Sequence, residues 1–134
     1  MRLFRISYVS NHGGLSEGAI DDILLRSQSK NRLEGITGTL LFSDQDFFQT
    51  LEGDHKAVYN CLMRVLQDKR HRDINIFHGA AAHSRIFPQW SMHGVDAGIY
   101  DLEKFLKTYA KKAILPGFWN SCKDPSAAFR RMCR

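Results

Sequence analysis

Apolar and polar residues alternate over Leu3–Ser10, which puts Phe4, Ile6 and Tyr8 on one face of an extended segment. Asn11-His12-Gly13-Gly14 is a turn. The spacing then becomes helical. Ile20, Ile23, Leu24 and Ser27 form one stripe to about Asn31, with Ser16 as N-cap and Glu17, Asp21 and Asp22 near the helix start. Ile36–Phe42 and Phe47–Leu51 read as a hairpin joined by Ser43-Asp44-Gln45-Asp46, and Glu52-Gly53-Asp54 is expected to stop its second strand. Asp54 can cap a second helix carrying Val58, Cys61, Leu62 and Val65, which ends near the charged run Asp68–Asp73. Ile74–His78 and Trp90–Val95 supply a fourth and a fifth strand, with Pro88 in the loop between them. Leu102, Phe105, Leu106 and Tyr109 then recur at helical spacing, Pro116-Gly117 breaks the pattern, and Pro125 begins a short last helix.

The order is therefore β-α-β-β-α-β-β. This is a ferredoxin-like α+β sheet with an extra strand, two helices on one face, and C-terminal helices added. A length of 134 residues suits one such domain with a real core. The charge divides the chain further. Residues 1–100 balance 11 basic against 11 acidic side chains, whereas residues 101–134 hold 8 against 3, so the whole formal charge of +5 lies in the tail. The expected organisation is a core over 1–95 and a basic helical extension over 96–134. A solvated helical face is the plainer account of that charge; an acidic partner, a neighbouring subunit or nucleic acid are the others.

Several chemistries are excluded. No apolar run approaches membrane-spanning length, and Met-Arg-Leu-Phe-Arg leads straight into a strand without a signal-peptide stretch. Cys61, Cys122 and Cys133 are odd in number and lack metal-like spacing, which suits reduced thiols in the cytoplasm. The six histidines show no H-x-x-x-H pair, so no metal is expected. Gly13, Gly14 and Gly18 do not have the spacing of a dinucleotide or Walker loop.

One residue breaks the apolar pattern of the third strand. Gln49 follows Phe47 and Phe48, and a buried carboxamide must find partners for its donors and acceptor. The first and third strands are neighbours in a ferredoxin-like sheet, so Tyr8 and Gln49 can meet. Trp90 and Met92, two apart on a strand, share a face. Ile23 and Val65 lie on the apolar stripes of the two helices. Arg64 and Asp68 lie four apart, the spacing of an exposed ion pair on a helix.

With Ser27-Gln28, Asn31, Gly35-Ile36-Thr37-Gly38, Asp68-Lys69-Arg70-His71, Arg85 and Phe87 in this order, the chain resembles the BLUF family over about residues 1–95. These are blue-light sensors that use a flavin. The resemblance implies an isoalloxazine ring held between the helices by Ile23, Ser27, Asn31, Gln49, Arg64, Val65, Asp68, Arg70 and His71. It implies FAD as cofactor, with FMN or riboflavin as alternatives. It makes Tyr8 and Gln49 the photoactive pair and Trp90 and Met92 the signal transmitters, with Ser7 a minor support. In this reading no cysteine is placed to form an adduct. It implies a homo-oligomer, dimer or ring, and a downstream protein partner, and no catalytic effector.

Two other functions use the same fold. An enzyme such as a small phosphatase needs a converging nucleophile or anion cradle, and none is apparent. A nucleic-acid or protein binding module without photochemistry is the alternative. Against nucleic acid, the basic excess lies off the sheet and the RNP-type K/R-G-F/Y pattern is missing.

Overall fold

The computed structural model describes residues 2–87 and 91–98. Its elements are β1 (Leu3–Asn11), α1 (Glu17–Glu34), β2 (Thr37–Ser43), β3 (Asp46–Asp54), α2 (His55–Gln67), β4 (Arg72–Ala81) and β5 (His93–Gly98). The strands form one sheet in the order β4-β1-β3-β2-β5. All pairings are antiparallel except β2 with β5. The expected element order and fold class hold.

Local chemistry sets the helix ends. The Ser16 side chain accepts from Ala19 N at 3.2 Å, and the Asp54 side chain accepts from Lys56 N at 3.2 Å, so both expected N-caps are made. α1 runs beyond Asn31 because Arg32-Leu33-Glu34 are good helix formers. The stop is Gly35, whose φ of 69° suits glycine and returns its N–H to the Asn31 carbonyl.

Both helices pack on the same face of the sheet. Ile20 and Ile23 of α1 and Val58, Cys61 and Leu62 of α2 share one core with Ile6, Tyr8, Leu40, Phe47 and Leu51. β2 and β3 lie close together because Gly38 has no side chain: a Cβ there would stand 1.9 Å from the Thr50 carbonyl oxygen.

Three boundaries differ from expectation. β3 continues through Glu52 and Gly53, where a turn was expected. The reason lies across the strand: Arg5 pairs with Glu52 in register, and its Nε donates to Glu52 Oε2 at 2.8 Å. That carboxylate is fully buried and also accepts the N–H groups of Ile86 at 2.8 Å and Phe87 at 2.7 Å. A glutamate that looks like turn chemistry in the sequence is thus a strand residue with its charge compensated. β4 is longer than Ile74–His78 because its partner β1 extends beyond both ends of that segment. β5 begins at His93, so Met92 precedes the strand, and Trp90 lies outside the described residues. β5 also runs past the expected end at Val95 to Gly98, so the expected boundary at residue 96 falls inside a strand paired with β2; the C-terminal helices lie outside the described residues.

Candidate functional site

A cavity of about 630 Å³ opens between α1 and α2 above the sheet, within the range of roughly 300–1,000 Å³ usual for ligand sites. α1 supplies Ile23, Ser27 and Asn31; α2 supplies Arg64 and Val65; β3 supplies Gln49; and Asp68, Arg70 and His71 follow α2. All nine residues expected to meet a flavin lie on this one wall. Leu25, Arg26, Ser29, Lys30 and Cys61 line it too and were not anticipated. For Cys61 the signal was present, since it lies four residues before Val65 on the same helical stripe. Burial pushes the Cys61 thiol upward in pKa, which keeps it protonated and a poor nucleophile.

Gln49 is buried beneath the cavity, and its carboxamide is used at both ends. Tyr8 lies opposite it in the β1–β3 register and donates its hydroxyl to Gln49 Oε1. Gln49 Nε2 donates to Met92 Sδ at 3.5 Å. Tyr8 is fully buried, and that burial, with minor contributions from Cys61 and Asp68, holds its phenol well above the usual value. The hydroxyl is therefore neutral and its proton is aimed at the amide oxygen. Ser7, the expected support, points to the other face, where its hydroxyl meets that of Thr50 at 2.9 Å.

The charged groups pair differently from expectation. Arg64 and Asp68 do not bridge one another. α2 ends at Gln67, so Asp68 is already a cap residue and its side chain turns to Arg70, whose Nη2 lies 2.8 Å from Oδ2. The Arg70 hydrogen bond is the main reason the Asp68 carboxyl lies below its usual pKa. Arg64 reaches across the slot to Glu34 of α1 at 2.8 Å, and Arg70 approaches Asp22 of α1 at 3.4 Å. α1 is thus tied to α2 through Arg64 and to the segment after α2 through Arg70.

His71 sits between the cavity and β1, with Nδ1 2.9 Å from Ser10 Oγ and its ring tilted against Phe47. Desolvation lowers its pKa to about 4. An unfolded histidine takes up its proton near pH 6.5, so the unfolded chain binds more protons between about pH 6.5 and about 4. Stability should fall as pH drops through that window. Urea unfolding across it should show the decline, and His71→Gln should flatten the slope.

Helix α1 also grips the segment leading into β5. Asn31 Nδ2 donates to the Ser91 carbonyl at 2.7 Å, and Gln28 Nε2 to the Met92 carbonyl at 3.0 Å. Leu24 packs on Gly94 so closely that a Cβ there would lie 2.5 Å from Leu24 Cδ1. Residues 24, 28 and 31 form one helical stripe. Asn31 was expected among the residues that hold the ring; it lines the cavity, and its amide nitrogen bonds to backbone. The wall mixes apolar side chains with a carboxamide, a hydroxyl and cations, a donor set that fits a flat heteroaromatic ring with polar edges. Among the described residues no group of three metal-ligating side chains occurs, and no helix is long and apolar enough to cross a membrane.

A family model described as "BLUF: Sensors of blue-light using FAD" matches residues 3–93. The chain is 39% identical over 71 residues to the photoactivated adenylate cyclase subunit beta of Euglena gracilis, covering 52% of this chain and 8% of that protein. It thus spans about a tenth or less of the first curated relatives it matches. Among solved structures it resembles BlrB, a BLUF protein in its dark state, at 30% identity and a TM-score of 0.65 over 83% of this chain and 80% of that one. It also resembles Klebsiella pneumoniae BlrP1 with FMN and cyclic diGMP, at 32% identity and a TM-score of 0.68, covering 78% of this chain and 30% of that one.

Proposed function

Because this chain belongs to the BLUF family of flavin-using blue-light sensors, we propose that it signals by rearranging the carboxamide of Gln49 between Tyr8 and Met92. The family's domain is a sensor module and not itself a catalyst. The observation that carries the reading is the continuous chain Tyr8 Oη–Gln49 amide–Met92 Sδ at the base of a cavity between two helices.

A bound flavin, once excited by blue light, supplies a strong oxidant. Tyr8 is the donor residue, and its buried neutral phenol keeps its proton until it is oxidised. The proton then passes from Oη to Gln49 Oε1, to which it already bonds. Gln49 would give up an Nε2 proton in exchange, toward the oxidant that took the Tyr8 electron, and once that electron and a proton return to Tyr8 the amide of Gln49 is left rotated or tautomerised. Either change alters what Nε2 offers Met92. Ile23, Val65, Asn31 and Ser27 would hold the ring, and Asp68 fixes Arg70 beside it. We take the cofactor as FAD, the flavin that the family description names, with FMN or riboflavin as alternatives; Arg26 and Lys30 on the cavity wall suit the phosphates of either nucleotide.

Trp90 joins Met92 in carrying the signal toward residues 96–134, whose basic excess makes them the interaction segment of a cytoplasmic homo-oligomer with a downstream protein. The test is an absorption spectrum of the purified protein in the dark and after blue light. A small, fully reversible red shift is expected. A bleached thiol-adduct spectrum would instead make Cys61 the reacting group and overturn the reading.

A further inference from the structure

The sulfur contact of Gln49 depends on a backbone that no strand holds. Met92 stands just outside β5, whose pairing with β2 begins at His93 opposite Thr39. Its carbonyl accepts from Gln28 Nε2 at 3.0 Å, a bond that ties the start of β5 to α1. The methionine side chain is flexible, and its 3.5 Å sulfur contact is a weak restraint. Core packing of the buried side chain and the hold on the Met92 backbone together fix the position of the sulfur.

We propose that Gln28 is a positioning residue for the light switch: by donating from Nε2 to the Met92 carbonyl, it keeps the Met92 sulfur on Gln49 and sets how fast the resting arrangement returns after illumination. The proposal rests on the reading of Gln49 and Met92 given above. Gln28 is suited to this role because it does not line the cavity, although Ser27 and Ser29 on either side of it do. It is half-buried and turned to the segment at 91–94, between Leu24 on Gly94 and Asn31 on the Ser91 carbonyl. Asn31 thus belongs to both the cavity and the segment, whereas Gln28 faces the segment alone. Removing the Gln28 donor leaves the cavity wall intact and loosens the segment. The arrangement with Met92 on Gln49 then loses stability relative to the rearranged one, and the drive to return weakens.

The experiment uses the full chain loaded with FAD and a blue-light pulse, with the dark return followed by absorbance. Gln28→Ala should keep the dark spectrum and the size of the red shift. Its return should slow about three- to tenfold, the effect of one ordinary hydrogen bond. Hydrogen exchange of residues 91–98 in the dark should be faster than in wild type. Gln28→Glu, which turns a carboxylate toward the carbonyl, should behave like Gln28→Ala and is read in its place if the alanine variant holds no flavin. Gln28→Arg, which keeps N–H donors, should return within about twofold of wild type. A red shift in wild type with an unaltered or faster return in both Gln28→Ala and Gln28→Glu overturns this proposal alone. A wild type without a red shift overturns the photochemical reading and this proposal together.

Discussion

Gln49→Leu should give a yellow, flavin-loaded protein whose spectrum no longer shifts under blue light, and Tyr8→Phe should do the same. Leucine is close to glutamine in volume, so the floor of the cavity stays filled. What disappears is the only group that touches both the Tyr8 hydroxyl and the Met92 sulfur among the described residues. Phenylalanine leaves the ring of residue 8 in the core and removes the proton that Gln49 receives. The expected effect is loss of the shift, not a reduction, because each variant breaks the chain at a different atom. Each also leaves one buried polar group without its partner, a stability cost of about 1–3 kcal/mol that thermal unfolding should report. Difference spectra after illumination decide the matter. A wild-type red shift in either variant would show that the proton takes another route.

Glu52→Ala should lower the unfolding free energy by about 3–5 kcal/mol, the usual cost of removing one partner of a buried ion pair. Against a typical domain stability of about 5–15 kcal/mol, that is a large share. The alanine leaves the Arg5 guanidinium, itself 6% exposed, without its carboxylate, and the Ile86 N–H loses its acceptor. The double variant Arg5→Met/Glu52→Leu should recover only part of the loss. It removes the stranded charge, but neither new side chain can accept from the backbone of residues 86 and 87. Urea unfolding of the two variants measures both effects. A double variant as stable as wild type would mean that the backbone contacts add nothing.

The strand and helix order was legible because periodicity follows from which face each residue buries. The Tyr8–Gln49 encounter was legible as well, since a ferredoxin-like sheet makes β1 and β3 neighbours, and the register places those two residues opposite each other. Partner choice between charged groups was not. Arg64 has Asp68 at the right sequence spacing and Glu34 at the right place in space, and only the packing of α2 on α1 selects Glu34. The same limit hid Glu52, whose buried state depends on Arg5, 47 residues away. Gln28 stood in plain view beside Ser27, yet nothing local marks it. Its partner is a carbonyl, and every residue has one.

β3 is the middle strand of five, bonded by β1 on one side and β2 on the other. The residue that must change on illumination is therefore mounted where local unfolding is least favourable. Its main chain cannot yield without breaking two ladders, so the free energy of a photon absorbed nearby has little freedom to act on except the torsions of one side chain. Met92, by contrast, stands just before a strand that pairs on one side only among the described residues, and its carbonyl is held by the Gln28 side chain. Backbone restraint thus falls from two ladders at Gln49 to side-chain bonds at Met92. Such a gradient gives the switch a direction, because a disturbance at the rigid end relaxes toward the compliant one.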